Sequence, residues 1–535
     1  MWGGRAKFWL AGGLAMGMAA QGLAQSGQGT GQTPPPPQVT GNQAKTDQAR
    51  SSTDTILTAK QEKELLSDED QILHFVSKDT DLPIKDAVKC RFISRDAVNK
   101  ELRKKFEEDK DTKRMERSEL VLKKFGLLDE DFNLRPFLLS LLTEQIAGFY
   151  DNKTKQMNLL DWVPIDQQKP VMAHELTHAL QDQMVGLTKW DDQEDDSGKN
   201  GVAQNVDQDN SHIARDESDT AREAVLEGQA MVSFADYMLA DNGHPGKTIR
   251  DFPQVGQMLE SGAGDTSDSP VLARAPLVLQ QALLFPYTSG LEFEQTVLTQ
   301  KGTDRAFAGV LNQPPNSSFE IMTPEAYLRR TPVPVMLLPD IHPLLKDAGY
   351  EPYDVGVMGE LDVRMTAELF GGKPLAVALA PEWDGGIYYA AQRKDATDAQ
   401  KQTTSSLALL YSSHWKNEDS ARSFFEVFEQ ELPRQYDGLK RRKQEEKDDN
   451  ERVYSTNEGD VLLTLEGKAV WVSEGFDLDM ARMLRTMVDA ANPTGPVMQA
   501  RILSPSLQVE PGQKDLVGSL VSAIAGFGMM KVGLR

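Results

Sequence analysis

His174 and His178 stand four residues apart in the run Val171-Met172-Ala173-His174-Glu175-Leu176-Thr177-His178-Ala179-Leu180-Gln181-Asp182. In a helix, residues four apart share one face, one turn above each other. Two imidazoles on such a face can bind a single metal ion. Glu175 is rotated one residue round the helix, beside the ion rather than on it, where it can act as general base. Pro170 suits a first helical turn and Gly186 suits the residue past the end, so the motif falls inside a helix. Ala173, Leu176, Ala179 and Leu180 make that helix largely apolar. A buried His-Glu-His trio needs something to offset its desolvation, and a metal would supply it.

Two histidines leave a zinc ion under-coordinated, so a third ligand is required. Asp182 lies eight residues beyond His174, about 12 Å along the axis, and cannot readily join both rings on one ion. The best source is Asp219-Thr220-Ala221-Arg222-Glu223-Ala224-Val225-Leu226-Glu227-Gly228-Gln229-Ala230. Ala221, Ala224, Val225, Gly228 and Val232 give it a small apolar helical face that permits close approach of a second helix. Glu227 would extend its carboxylate toward the histidines, with Gly228 removing a side chain at the tightest point. Glu223, one turn earlier, is the rival ligand. A donor for a developing oxyanion would complete the site, and Tyr287 and His212 are candidates in the flanking segments. Asp182 or Asp219 could orient a ligand histidine from behind.

The elements that must position these groups follow from the rest of the chain. Its 535 residues allow two or three domains, and 39% hydrophobic with 26% charged residues fits a soluble globular protein. A formal charge of −23 repels phosphate backbones and argues against nucleic-acid binding. Cys90 is the only cysteine, so no internal disulfide can form. Residues 1–24 read as a signal peptide: Arg5 and Lys7 precede an apolar stretch, and small residues end it at Ala24. The mature chain would then be periplasmic or extracellular, with no stable membrane span. Residues 25–58, rich in Pro, Gln and Gly, read as a disordered linker.

Residues 59–348 read as a mostly helical domain with a small sheet. A short strand is expected near Val88–Ile93. A hairpin over 146–160 directly precedes the metal motif. The acidic run over 189–212 reads as a solvated loop, followed by helices at about 214–241 and 270–284. Residues 349–535 read as a separate α+β domain, so the fold class expected overall is α+β. Its strands are expected at Ala376–Ala380, Ile387–Gln392, Leu407–Ser412, Val461–Leu465 and Ala469–Ser473. Helices are expected near Glu418–Glu431 and Asp479–Ala490. The apolar stretch Leu516–Met530 is too short and interrupted for a span and reads as a docked terminal helix.

HExxH followed by Glu227-Gly228-Gln229-Ala230 on a later helix resembles the gluzincin metallopeptidases, in which the glutamate before the glycine is the third zinc ligand. More closely, the chain resembles a poorly characterised group of bacterial metallopeptidases. That group carries a Gly-Phe-Tyr-Asp hairpin, here Gly148 to Asp151, before the histidine motif. An Ala-Leu-x-Glu-Gly-x-Ala helix follows, here Ala224 to Ala230. Phe285-Pro286-Tyr287, Pro314-Pro315-Asn316-Ser317-Ser318 and Pro324-Glu325-Ala326-Tyr327 are also similar to it. The likeness covers roughly 85–345, and the long acidic insertion before Glu227 departs from the pattern. It implies a zincin-like domain, one zinc ion, and hydrolysis of a peptide or protein substrate with Glu175 as base. It further implies substrate added as a strand at a sheet edge, expected at Lys155–Leu160. Two other readings remain open: an exported scaffold with a structural metal, and a zinc hydrolase acting on non-peptide amides.

Overall fold

The computed structural model describes residues 57–108, 111–146, 148–191, 202–256 and 269–493. The expected signal peptide, nearly all of the linker, residues 192–201 of the acidic run and the terminal apolar stretch lie outside them. The described chain mixes helices and two sheets. No described helix is long and apolar enough to cross a membrane.

The chain enters through helix α1 (Ala59–Thr80), started by a capping box in which Thr58 and Gln61 satisfy each other's backbone donors. Strand β1 (Lys89–Ile93) leads into α2 (Arg95–Glu108), α3 (Asp111–Lys124) and α4 (Leu134–Gln145). The hairpin then forms from β2 (Gly148–Asp151) and β3 (Gln156–Leu160). Its tight turn uses Lys155 in the left-handed region, with φ of 55°. β3 pairs antiparallel with β2 and parallel with β1, giving the order β1-β3-β2. The expected edge at 155–160 is therefore the central strand. Its second partner arrives from more than sixty residues earlier, and that long-range pairing is invisible to local pattern.

Helix α5 (Ile165–Val185) carries the histidine motif. It begins five residues before Pro170, which lies inside it, and not in the first turn as expected. Gly186 ends it in the left-handed conformation, donating to the Asp182 carbonyl at 2.8 Å. Within the segment read as a loop, Val206–Ile213 is helical, capped by the Asn205 side chain. Helix α6 (Ser218–Asp241) carries Glu223 and Glu227. Helix α7 (Leu277–Lys301) runs well past the expected end at 284 because Pro286 is accommodated inside it. α6 and α7 touch backbone to backbone: a β-carbon on Gly228 would stand 2.2 Å from the Gly290 carbonyl oxygen. The small face of α6 thus serves α7 at this point, where the sequence suggested α5.

Beyond residue 349 a seven-stranded antiparallel sheet forms from β4 (Tyr350–Val357), β5 (Trp383–Arg393), β6 (Leu407–Trp415), β7 (Lys440–Arg441), β8 (Glu451–Thr456), β9 (Gly459–Glu466) and β10 (Ala469–Glu474). The order is β4-β5-β6-β10-β9-β8-β7. Helix α8 (Glu360–Gly371) follows β4, α9 (Glu418–Gln435) follows β6, and α10 (Leu478–Ala491) follows β10. The stretch Ala376–Ala380, expected as a strand, lies mostly in a helix over Lys373–Leu379 with Pro374 in its first turn. Alanine and leucine behind such a proline favour the helix.

Side chains alternate across this sheet with period two. Tyr388, Leu409, Tyr411, Leu463 and Val472 face the core that also holds the metal-motif helix. Tyr389, Leu410, Leu462 and Trp471 face a second core closed by α10. The first core runs without a break from Leu57 to Val472. Phe125, at the end of α3, meets Tyr388 and Tyr411 edge-on at 5.7 and 5.9 Å.

Candidate metal centre

α5 and α6 pack so that three side chains converge. His174 Nε2 lies 3.1 Å from Glu227 Oε2, and His178 Nε2 lies 3.6 Å from Glu227 Oε1. The two Nε2 atoms are 3.1 Å apart. One ligand atom from each residue falls within 4.8 Å of the others, and all three residues are buried. Among the described residues this is the one such group of histidine, cysteine or acidic side chains. Glu223, one turn earlier on α6, is outside it, although it too is buried.

The group fits a metal ion. Both Glu227 oxygens are buried without a hydrogen bond of good geometry, and both face histidine Nε2 atoms. A fully buried carboxylate so arranged needs a cation among its neighbours. With both Nε2 atoms unprotonated, two imidazoles and one carboxylate would form a three-ligand set of the kind that leaves a coordination position open.

The charges here are strongly coupled. Burial pushes His174 down to about 4 against the pull of Glu227. Burial also opposes charge on His178, but the Glu227 carboxylate, hydrogen bonds and Glu175 outweigh it and hold the ring up at about 9. Burial would raise Glu227, yet the two histidines keep it below the ordinary carboxylate value. Burial raises Glu175 to about 8, with Glu227 adding to the rise and His178 and the Tyr150 backbone opposing it. Glu175 is 1% exposed, and its Oε2 is buried without a hydrogen-bond partner.

Tyr287 reaches the group from α7. Its ring lies 6.5 Å from that of His174, nearly parallel at 19°. Burial and the charges of Glu227, Glu223 and Glu175 keep its phenol protonated, well above the usual tyrosine value. His212 pairs with Asp216 one turn on, at 3.4 Å. The Asp216 carboxylate in turn accepts from the Val357 N–H at the end of β4. His212 is thus committed to the seam with the large sheet.

Asp182, expected behind a ligand histidine, is engaged elsewhere. Asp182 accepts from the Tyr150 hydroxyl at 2.8 Å, from Lys155, and from the Leu187 N–H at 2.9 Å. It clamps the hairpin to the end of α5. Asp219 sits in the first turn of α6, eight residues before Glu227, about 12 Å along the axis. A role there at the positive end of the helix dipole needs no metal.

A glutamine stands behind His178. His178 Nδ1 meets Gln181 Oε1 at 2.8 Å. Gln181 Nε2 donates to the Leu226 carbonyl at 3.0 Å and to Gln229 Oε1 at 2.9 Å. Gln229 Nε2 donates to the Ala306 and Phe307 carbonyls at 2.9 and 3.2 Å. Those carbonyls belong to a single π-helical turn, Arg305–Gly309. Gln181 sits three residues after His178 and Gln229 two after Glu227, and that proximity was the available signal for both.

No protein-family model, no curated protein and no solved structure matches the chain.

Proposed function

We propose that this chain is a zinc-dependent hydrolase of the gluzincin type, with a zincin-like helical part, that cleaves peptide bonds. The observation that carries the reading is the convergence of His174, His178 and Glu227 beside a buried Glu175 that belongs to no ligand set. A structural metal site has no use for such a base.

Zinc, when bound, supplies a Lewis acid and lowers the pKa of water in the site. His174, His178 and Glu227 hold it. Glu175, buried beside the three converging side chains, would take a proton from the attacking water and pass it to the leaving amine. Tyr287, kept protonated, donates to the oxyanion that develops on the carbonyl. The hairpin positions the base, since the Tyr150 backbone hydrogen-bonds to Glu175. Export through residues 1–24 belongs to this proposal, and the N-terminal sequence of the secreted chain tests it.

One observation favours a second reading, an exported scaffold with a structural metal. His174 and Glu227 have no exposed surface in the described arrangement. Zinc content and peptide hydrolysis, measured on wild type and Glu175→Gln, separate the two. The hydrolase reading expects zinc in both and a loss of at least about 10²-fold in activity on substitution. Full zinc with no peptide hydrolysis in either protein would favour the scaffold and overturn the peptidase.

A further inference from the structure

We infer that Gln181 and Gln229 form a directional relay that fixes the ring of His178 for metal binding, anchored on the π-helical turn Arg305–Gly309. The inference rests on the metal-binding part of the proposed function and not on peptide hydrolysis.

The direction follows from the groups at the far end. The Ala306 and Phe307 carbonyls can only accept, so the Gln229 atom between them must be its nitrogen. That choice turns Gln229 Oε1 toward Gln181. Gln181 must answer with its own nitrogen, which also donates to the Leu226 carbonyl. Gln181 Oε1 is then left for His178, and an amide oxygen can only accept. Nδ1 of His178 must therefore carry a hydrogen, so Nε2 is the nitrogen that would present a lone pair to a bound metal. Nε2 is the atom that faces Glu227 and His174. Flipping either amide would set oxygen against oxygen, in a place where both glutamines are fully buried.

The relay also ties the two ligand helices together. Gln181 extends from α5 and reaches the Leu226 carbonyl of α6, one residue before Glu227. Gln229 extends from α6 to the turn after α7. A widened π turn disturbs the regular ladder of the helix around it, and such turns recur at functional sites. Gln181 and Gln229 are positioning residues. They touch the ligand and its support, not the reacting atoms.

The test is zinc affinity, read by competition with a chromophoric chelator on the full chain. The variants are Gln181→Met, Gln229→Met and the double substitution. Unfolding of each metal-free protein is followed in parallel. Each single variant should bind zinc about 10- to 100-fold more weakly, the range found when groups behind metal ligands are removed. The double variant should bind about as weakly as either single one, because one broken link disables the chain. Two independent packing losses would instead multiply. Zinc affinity of Gln229→Met within twofold of wild type overturns the relay, and so do multiplicative losses in the double variant. Should Gln229→Met fail to fold, Gln181→Met decides alone by the same criterion. Wild type that binds no zinc would defeat the metal reading itself. Wild type that binds zinc without cleaving peptides would leave the relay standing and defeat only the hydrolase.

Discussion

Gly228 and Gly290 face each other so closely that either one would drive a β-carbon into the opposing helix, Gly228 against the Gly290 carbonyl and Gly290 against the Ala224 carbonyl, each at 2.2 Å. The obstacles are backbone atoms, which cannot rotate away. Gly228→Ala should force α6 and α7 apart and destabilise the protein by about 1–3 kcal/mol. Glu227 adjoins Gly228, and Tyr287 is three residues from Gly290, so zinc affinity should fall as well. Urea unfolding and chelator competition on this variant check both effects. An alanine variant as stable as wild type would contradict the contact.

Glu227 and Glu223 are separated by one substitution each. Glu227→Gln removes the charged ligand and should weaken zinc binding by at least about 100-fold. Glu223→Gln should leave affinity within about threefold, since Glu223 lies outside the ligand group. Equal losses in the two variants would show that the carboxylates share the ion.

Asp79 and Asp236 form a buried acidic pair on α1 and α6, away from the metal group. Burial pushes Asp79 up to about 7, tempered by its hydrogen bond to Asp236 and by Arg250. Burial and the Asp79 charge raise Asp236 in the same direction, while it accepts from the Ile249 N–H at 2.5 Å. In the unfolded chain an aspartate titrates near 3.9. The folded state therefore holds its proton longer. The stabilisation is complete below about pH 4 and is lost as pH rises through about 7. Asp79→Asn should flatten that decline and raise stability at pH 8 on the order of 1–2 kcal/mol. Urea midpoints from pH 4 to 9 for both proteins give the answer, and parallel curves would exclude the pair as the source.

Asp182 holds the hairpin and not a ligand ring. Asp182→Ala would leave the Tyr150 hydroxyl and the Leu187 N–H without their acceptor and free Lys155. A stability loss of about 2–3 kcal/mol is expected, with zinc affinity changed less than about threefold. A tenfold loss of zinc affinity at unchanged stability would instead place Asp182 behind the metal.

The candidate metal group was legible because its spacing is local. His174 and His178 need only one helix, and Glu227 needs only a second helix with a small face. The strands alternating in residues 387–473 were legible for the same reason, since period two is written in consecutive residues. What escaped depends on distant partners. β3 becomes central only because β1 comes back to pair with it. Gly228 carries no mark that its neighbour is Gly290 instead of α5. Pro286 signals a helix end, yet α7 continues through it and brings Tyr287 beside His174. The two glutamines acquire a role only once the carbonyls of 306 and 307 are in place, and a π turn leaves no pattern in the sequence. Ala376–Ala380 is a case where alternation of small apolar residues fits either element.

The aromatic contact of Phe125 with Tyr388 and Tyr411 has a thermodynamic corollary. Lys124 beside it is buried against Glu458, and Gln435 donates to the Phe125 carbonyl at 2.8 Å. Severing the polypeptide near residue 348 would strand a cation, a phenyl ring and two phenols in water at once. Neither fragment then has a finished interior of its own, and heating should melt the helical half and the sheet in one concerted step.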